Sequence, residues 1–356
     1  MIEQYGWSDR LAQAFAPHAR EGLAPGRIIA QHRDSYQVAT DEGELRAKAA
    51  GRLHNEADEA SQPAVGDWVA LSLNVPERSS TIHAILPRRT AFVRRAADSA
   101  HRPQVIAANI DVAFIVTSLN ADLNLRRLER YLAAAWQSGA RPVVVLTKSD
   151  LSADPQAQAA EVTTVAGDCP VLLVSAREGA GLDALLAQVG RGETCVLIGS
   201  SGVGKSTLVN AFLGEDRMAT NAIRHGDDHG RHTTSHRELF LLAGGGLMLD
   251  TPGIREVGLI DADEGVSAVF DDIEQLAQAC RFNDCGHATE PGCAVRAALE
   301  SGVLAPARWA HFQKLGKELA AVEKKSERIA SDVERRRLAG LQKVYRATKR
   351  DSRGGD

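Results

Sequence analysis

Nine consecutive residues, Gly199-Ser200-Ser201-Gly202-Val203-Gly204-Lys205-Ser206-Thr207, fit the phosphate-loop pattern G-x-x-x-x-G-K-[ST]. Glycines at this spacing let main-chain N–H groups converge on phosphate oxygens, and a helix starting at the loop adds the positive end of its dipole. Lys205 stands where an ammonium reaches β- and γ-phosphates, and Ser206 where a hydroxyl ligates Mg²⁺. The apolar run Cys195–Ile198 reads as the strand before the loop and Thr207–Phe212 as the helix after it, which is the context the pattern requires.

A second motif, Thr147-Lys148-Ser149-Asp150, closes the apolar run Pro142–Leu146 and fits [NT]-K-x-D. The Asp150 carboxylate can accept hydrogen bonds from guanine N1–H and from its exocyclic amine. Adenine offers an acceptor at N1 and no amine there, so it leaves the carboxylate unpaired, and such mismatches discriminate steeply. The Lys148 stem can lie along the base plane. Taken alone the tetrapeptide would also serve as a solvated helix cap. Ser175-Ala176, after the run Val171–Val174, strengthens the guanine reading, because Ser-Ala there matches a further guanine-contacting motif. The base-reading motif precedes the phosphate loop in this chain, whereas ordinary GTPases have the reverse order.

A third motif is Asp250-Thr251-Pro252-Gly253, after the run Leu247–Leu249. It fits the D-x-x-G switch pattern, with Asp250 holding Mg²⁺ through water and the Gly253 N–H meeting the γ-phosphate; a plain turn also satisfies D-T-P-G. Between this motif and the loop lies Gly230-Arg231-His232-Thr233-Thr234-Ser235. A threonine in this interval completes the Mg²⁺ shell of a triphosphate state, and spacing leaves Thr233 and Thr234 both open. The preceding stretch, His225 to Gly230, is polar and glycine-containing, as a switch loop needs. Ile254 stands where many GTPases have a water-orienting glutamine. Another group must then orient water, and His232 is the nearest polar candidate, with a structural or solvent-facing histidine as the alternative.

Cys280, Cys285, His287 and Cys293 bring three thiols and an imidazole within a short run. Thiolates with one imidazole suit a closed tetrahedral Zn²⁺ site, and with no fifth ligand or obvious general base in the run a structural ion is expected. The remaining cysteines, Cys169 and Cys195, read as ordinary small core residues. From about Lys314 the chain reads as one or two amphipathic helices, with basic residues concentrated after Glu334 (Arg335-Arg336-Arg337, Lys343, Arg346, Lys349-Arg350, Arg353). That composition suits a phosphate backbone or a solvated helix face.

These motifs need elements to hold them. The 356 residues exceed one compact core and predict two or three domains. Residues 7–18 carry Trp7, Leu11 and Phe15 at helical spacing. The short runs 26–30, 35–40, 44–47, 67–71 and 81–86 are β-prone and separated by turn residues such as Asp41-Glu42-Gly43, which predicts a small barrel with the OB-fold as leading candidate. From about residue 105 continuous apolar runs alternate with helical periodicity, which predicts a mostly parallel sheet. The N-terminus has no basic, apolar leader and no apolar run approaches a membrane span, so a cytoplasmic protein is expected. The odd set of five cysteines favours a metal site over a disulfide framework.

Together the motif order, Gly-Arg-His-Thr-Thr, Asp-Thr-Pro-Gly-Ile-Arg-Glu, Ala107-Ala108-Asn109-Ile110-Asp111, the preceding barrel and Cys-x4-Cys-x-His-x5-Cys resemble the ribosome small-subunit-dependent GTPase A family (RsgA, also called YjeQ) over nearly the whole chain. The resemblance implies an N-terminal helical extension at 1–22, an OB-fold barrel at 23–92, a circularly permuted α/β P-loop GTPase domain at 93–265, and a mainly α zinc domain with a basic tail at 266–356. It places the family's catalytic histidine at His232, its switch threonine at Thr234 and its zinc ligands at Cys280, Cys285, His287 and Cys293. Thr147 stands where many members have Asn. The implied activity is GTP hydrolysis to GDP and phosphate in late assembly of the 30S subunit, stimulated by that subunit. The implied partners are the subunit, its 16S rRNA and other assembly factors, and a monomer is expected. Two rival expectations are an RNA-binding module in which GTP occupancy only signals, permitted by Ile254, and a GTPase of membrane or cofactor-insertion traffic, disfavoured by the barrel.

Overall fold

The computed structural model describes residues 1–32, 35–51, 53, 62–95, 103–120, 123–214, 237–250, 269–306 and 308–317. By packing, the chain divides into two units, with residues up to 250 in the first and Phe270 onward in the second.

The first unit opens with a 3-10 turn, Ile2–Tyr5, and helix α1, Asp9–Arg20. Ser8 is the N-cap residue, so the helix begins after Trp7 rather than on it. The Trp7 indole instead packs edge-on against Trp68 and Phe15, at 5.0 and 5.9 Å between ring centroids.

Five strands follow: β1 Ala24–Gln31, β2 Tyr36–Thr40, β3 Gly43–Ala49, β4 Trp68–Asn74 and β5 Ser79–Ile85. They pair in the order β1-β2-β3-β5-β4 and close through β1–β4, with only β3–β5 parallel. This is the OB-type barrel expected from the sequence. In β3 the alternation is plain: Leu45 and Ala47 are buried, while Glu44 and Arg46 face out. A hairpin that sequence periodicity did not reveal, β6 Ala91–Arg95 with β7 Pro103–Ala108, leads out of the barrel.

The α/β part comprises β8 Val112–Ser118, α2 Leu125–Ser138, β9 Arg141–Thr147, α3 Pro155–Ala166, β10 Val171–Leu173, α4 Leu182–Leu186, β11 Thr194–Ile198, α5 Lys205–Leu213, β12 Arg237–Leu241 and β13 Leu247–Asp250. Its strand order is β10-β9-β8-β11-β13-β12, all parallel except β12. Every residue of β8 is buried, as a strand covered on both faces requires. Phe114, Val116, Val145, Leu208, Phe212 and Met248 share one core.

The barrel and this sheet are continuous. A β-bulge between Ile28 and Ala30 turns β1, so its first half pairs with β4 and its last residues pair with β12. Behind the joint lies the buried Arg27, 2% exposed. Its guanidinium donates to the carbonyls of Tyr5, Gly66 (3.3 Å) and Asn109 (3.2 Å) and to Thr194 Oγ1 (2.8 Å), and it stacks over Trp68. Burial pulls its pKa down to about 10, so it remains a cation at neutral pH. Asp111 extends the network by accepting from Thr194 N at 2.7 Å and pairing with Arg89. A cavity of about 640 Å³ lies here, lined in part by Trp7, Arg10, Arg27, Arg89 and Arg191; no nucleotide-motif residue lines it.

The second unit carries α6 Asp271–Gln278 and α7 Ala294–Ser301, and residues 308–317 are helical. Its core gathers Phe270 against Phe312 and His311. Arg308 lies over the Phe270 ring and forms two 2.8 Å bonds to Asp272. Among the described residues no helix is long and apolar enough to cross a membrane.

Candidate nucleotide and metal sites

The phosphate-loop residues Gly199 to Gly204 connect β11 to α5, and Lys205, Ser206 and Thr207 form the first turn of that helix. Gly199 is required by close approach, since a Cβ there would come within 2.2 Å of the Val116 carbonyl oxygen. Gly204 is the N-cap residue of α5 at φ +98°, a left-handed conformation that suits glycine. The Lys205 ammonium is held over the loop by the carbonyls of Gly199 (2.7 Å) and Ser200.

The Thr147–Asp150 motif is tied directly to this loop. Thr147 ends β9, and its hydroxyl lies 2.5 Å from the Val203 carbonyl and 3.2 Å from that of Thr117. A hydroxyl has one proton to give, so the shorter contact is the bond. Lys148, left-handed at φ +58°, reaches the Gly202 carbonyl at 2.8 Å. The Ser175 hydroxyl donates to Asp150 Oδ1 at 2.7 Å and accepts from Glu178 N at 3.3 Å. Ser149 N donates to the Val174 carbonyl at 3.3 Å, which anchors the motif beside Ser175 and Ala176. Thr147 and Lys148 thus join the motif to the loop, while Ser149 and Asp150 join it to the segment that carries Ser175 and Ala176.

Asp250 ends β13, the strand that pairs with β11, the loop's own strand. His232, Thr233, Thr234, Gly253 and Ile254 lie outside the described residues.

In the second unit, one ligand atom from each of Cys280, Cys285, His287 and Cys293 lies within 4.8 Å of the others. His287 Nδ1 is 3.5 Å from both Cys280 Sγ and Cys293 Sγ, and those sulfurs are 3.9 Å apart. With metal–sulfur bonds of about 2.3 Å and metal–nitrogen bonds of about 2.0 Å, tetrahedral edges come to about 3.5–3.8 Å. The three edges among Cys280, His287 and Cys293 match those of a tetrahedral site, and with Cys285 close by the cluster could hold a metal ion. Cys293 is also the N-cap residue of α7, where its sulfur accepts from Arg296 N at 3.4 Å. Cys169 and Cys195 are buried, and burial raises their thiol pKa values to about 11 and about 12, so neither is a thiolate at neutral pH.

Two supports of the cage escaped sequence reasoning. Trp309 packs edge-on against the His287 ring at 5.6 Å. The Glu290 carboxylate accepts from Gly286 N (3.0 Å), Ala288 N (2.9 Å) and Thr289 N (2.9 Å). Its own N–H and then these groups hold its carboxyl below the usual range. An acidic residue inside a cysteine-histidine run is the sequence signal that would have suggested such a brace.

Residues 85–260 match the sequence model of the RsgA GTPase. A protein of Opitutus terrae described as small ribosomal subunit biogenesis GTPase RsgA is 46% identical over 359 residues, covering 98% of each chain. The chain belongs to the RsgA GTPase family. A second RsgA protein, from Streptomyces coelicolor, is 47% identical over 97% of this chain and 92% of its own length. Among solved structures, YjeQ from Thermotoga maritima aligns over 84% of this chain and 99% of its own, with a TM-score of 0.63 at 24% identity. YloQ, described as a circularly permuted GTPase, gives 0.61 at 22% identity, over 85% and 96%. These likenesses establish the fold: a permuted GTPase carrying an N-terminal barrel. As a member of the RsgA family the chain is a GTP hydrolase, and GTP hydrolysis implies Mg²⁺.

Proposed function

We propose that this chain hydrolyses GTP to GDP and phosphate during late assembly of the small ribosomal subunit, with the subunit as activator. The single observation that carries the reading is the near-full-length identity to relatives described as small ribosomal subunit biogenesis GTPases. The bonds from Thr147 and Lys148 to the phosphate loop support it, because they bring the guanine motif and the phosphate motif together.

In this reading Asp150, aimed by Ser175, reads guanine, and Lys148 lies along the base. The loop Gly199–Thr207 holds the phosphates, with Lys205 at the β- and γ-phosphates. Ser206, Thr234 and, through water, Asp250 would hold Mg²⁺, which would supply charge neutralisation to the phosphates. The Gly253 N–H meets the γ-phosphate, and His232 orients the attacking water. Cys280, Cys285, His287 and Cys293 hold one structural Zn²⁺, since a Cys₃His set with no open position suits that ion. The barrel and the metal unit engage 16S rRNA. The protein acts as a cytoplasmic monomer beside other assembly factors.

Steady-state GTP turnover measured with and without purified small subunits tests the reading. Turnover should rise several-fold or more on adding subunits, and unchanged turnover rejects the assembly role. His232→Ala should abolish the rise while leaving nucleotide affinity intact. A loss of affinity instead moves His232 to a structural role.

A further inference from the structure

Strand β12 lies between the barrel and the strand that ends in Asp250. On one side it pairs with β1 through Ala30↔Glu238 and Gln31↔Arg237; on the other it pairs with β13 through Glu238↔Asp250. Ala30, Glu238 and Asp250 therefore form one lateral rank across three strands. At the barrel seam the Arg237 guanidinium donates to Gln31 Oε1 at 3.2 Å. Among the described residues the seam shows two registered residue pairs, and this half-buried side-chain bond ties them across the strands. Slippage there would carry β12 along, and a strand displaced by one residue turns its side chains to the opposite face.

We propose that Gln31 and Arg237 are positioning residues for Asp250. The β1–β12 seam holds β12, and through it β13, in the register that presents the Asp250 carboxylate to nucleotide-bound Mg²⁺. The barrel thereby sets metal affinity at a carboxylate two strands away. This rests on the reading of Asp250 as a Mg²⁺-holding residue. Rank and register carry the inference: a packed sheet moves as a unit, so a fixed edge fixes the interior strand.

The test is a Mg²⁺ titration of fluorescent GDP binding to the full chain, with no ribosomal component. Gln31→Ala should raise the half-saturating Mg²⁺ concentration about three- to tenfold, the effect of losing roughly one hydrogen bond. Nucleotide affinity in excess chelator should stay unchanged. Gln31→Glu keeps the acceptor and should restore the Mg²⁺ curve, and Arg237→Ala should reproduce the loss from the other side of the seam. A Mg²⁺ curve for Gln31→Ala that superimposes on the unmodified chain overturns the inference. So does an equal loss of affinity in chelator, which marks general damage to the nucleotide pocket. Asp250→Asn separates the two levels. If it leaves the Mg²⁺ curve unmoved, the assignment of Asp250 fails. If it shifts the curve while Gln31→Ala does not, only the positioning role fails.

Discussion

The Thr147 hydroxyl is bonded to the main-chain carbonyl of Val203, a residue 56 positions later in the chain. Through this contact the guanine motif holds the phosphate loop in place, although the permuted order puts the motif first. Thr147→Val keeps the branched shape and removes the donor, so the buried Val203 carbonyl loses its partner at a cost of about 1–3 kcal/mol. Affinity for GDP and GTP, measured by equilibrium fluorescence, should fall about five- to a hundredfold. Thr147→Ser keeps the hydroxyl and should retain most of the affinity.

Asp150 accepts from Ser175, and in the proposed reading the rest of its carboxylate accepts from guanine. Asp150→Asn replaces an acceptor oxygen by an NH₂ donor, which opposes the N1–H and amine of guanine. Guanine nucleotide affinity should drop at least a hundredfold, and xanthosine nucleotides, with a carbonyl in place of the amine, should bind better than guanosine nucleotides. Competition binding with the two diphosphates reads the outcome.

The candidate nucleotide and metal sites stand out in the sequence because their chemistry demands fixed residue types at short spacings. The loop Gly199–Thr207 and the run Cys280–Cys293 are contiguous, so pattern and site coincide. The joint between barrel and GTPase is different. Arg27 lies in the β-prone run Gly26–Ala30, where a charged side chain reads as solvent-facing. Its acceptors come from Tyr5, Gly66, Asn109 and Thr194, scattered along the chain. Strand β12, Arg-Glu-Leu-Phe-Leu, is too short for periodicity to distinguish from a loop, and only its neighbours β1 and β13 make it a strand. Tertiary pairing decided both.

Arg27→Met should expose the value of that joint. Methionine fills much of the volume but leaves the carbonyls of Tyr5, Gly66 and Asn109 without this donor, a loss of about 3–5 kcal/mol for a buried charged hydrogen-bonding group. At about 2–4 °C per kcal/mol for a unit of this size, calorimetry should show the transition of the first unit falling by roughly 10 °C. A change under about 2 °C would mean that the network contributes little net stability.

Glu290 makes a prediction about the metal cage that separates its two sensitivities to acid. The folded-state pKa of this carboxyl is depressed, so its stabilising contribution is complete above the unfolded value of about 4.3 and is lost as pH falls through the lower folded value. Metal loss on acidification is a separate process, because protons compete with the metal for its ligands. Glu290→Gln should therefore speed metal release to a chromogenic chelator at pH 7 by about threefold or more, since supports of metal ligands have effects of this order or larger. The midpoint of the acid-release curve should hardly move, because Cys280, Cys285, His287 and Cys293 set it. A large shift of that midpoint with no change of rate at pH 7 would show that Glu290 acts through its charge on the ligands rather than by bracing the loop.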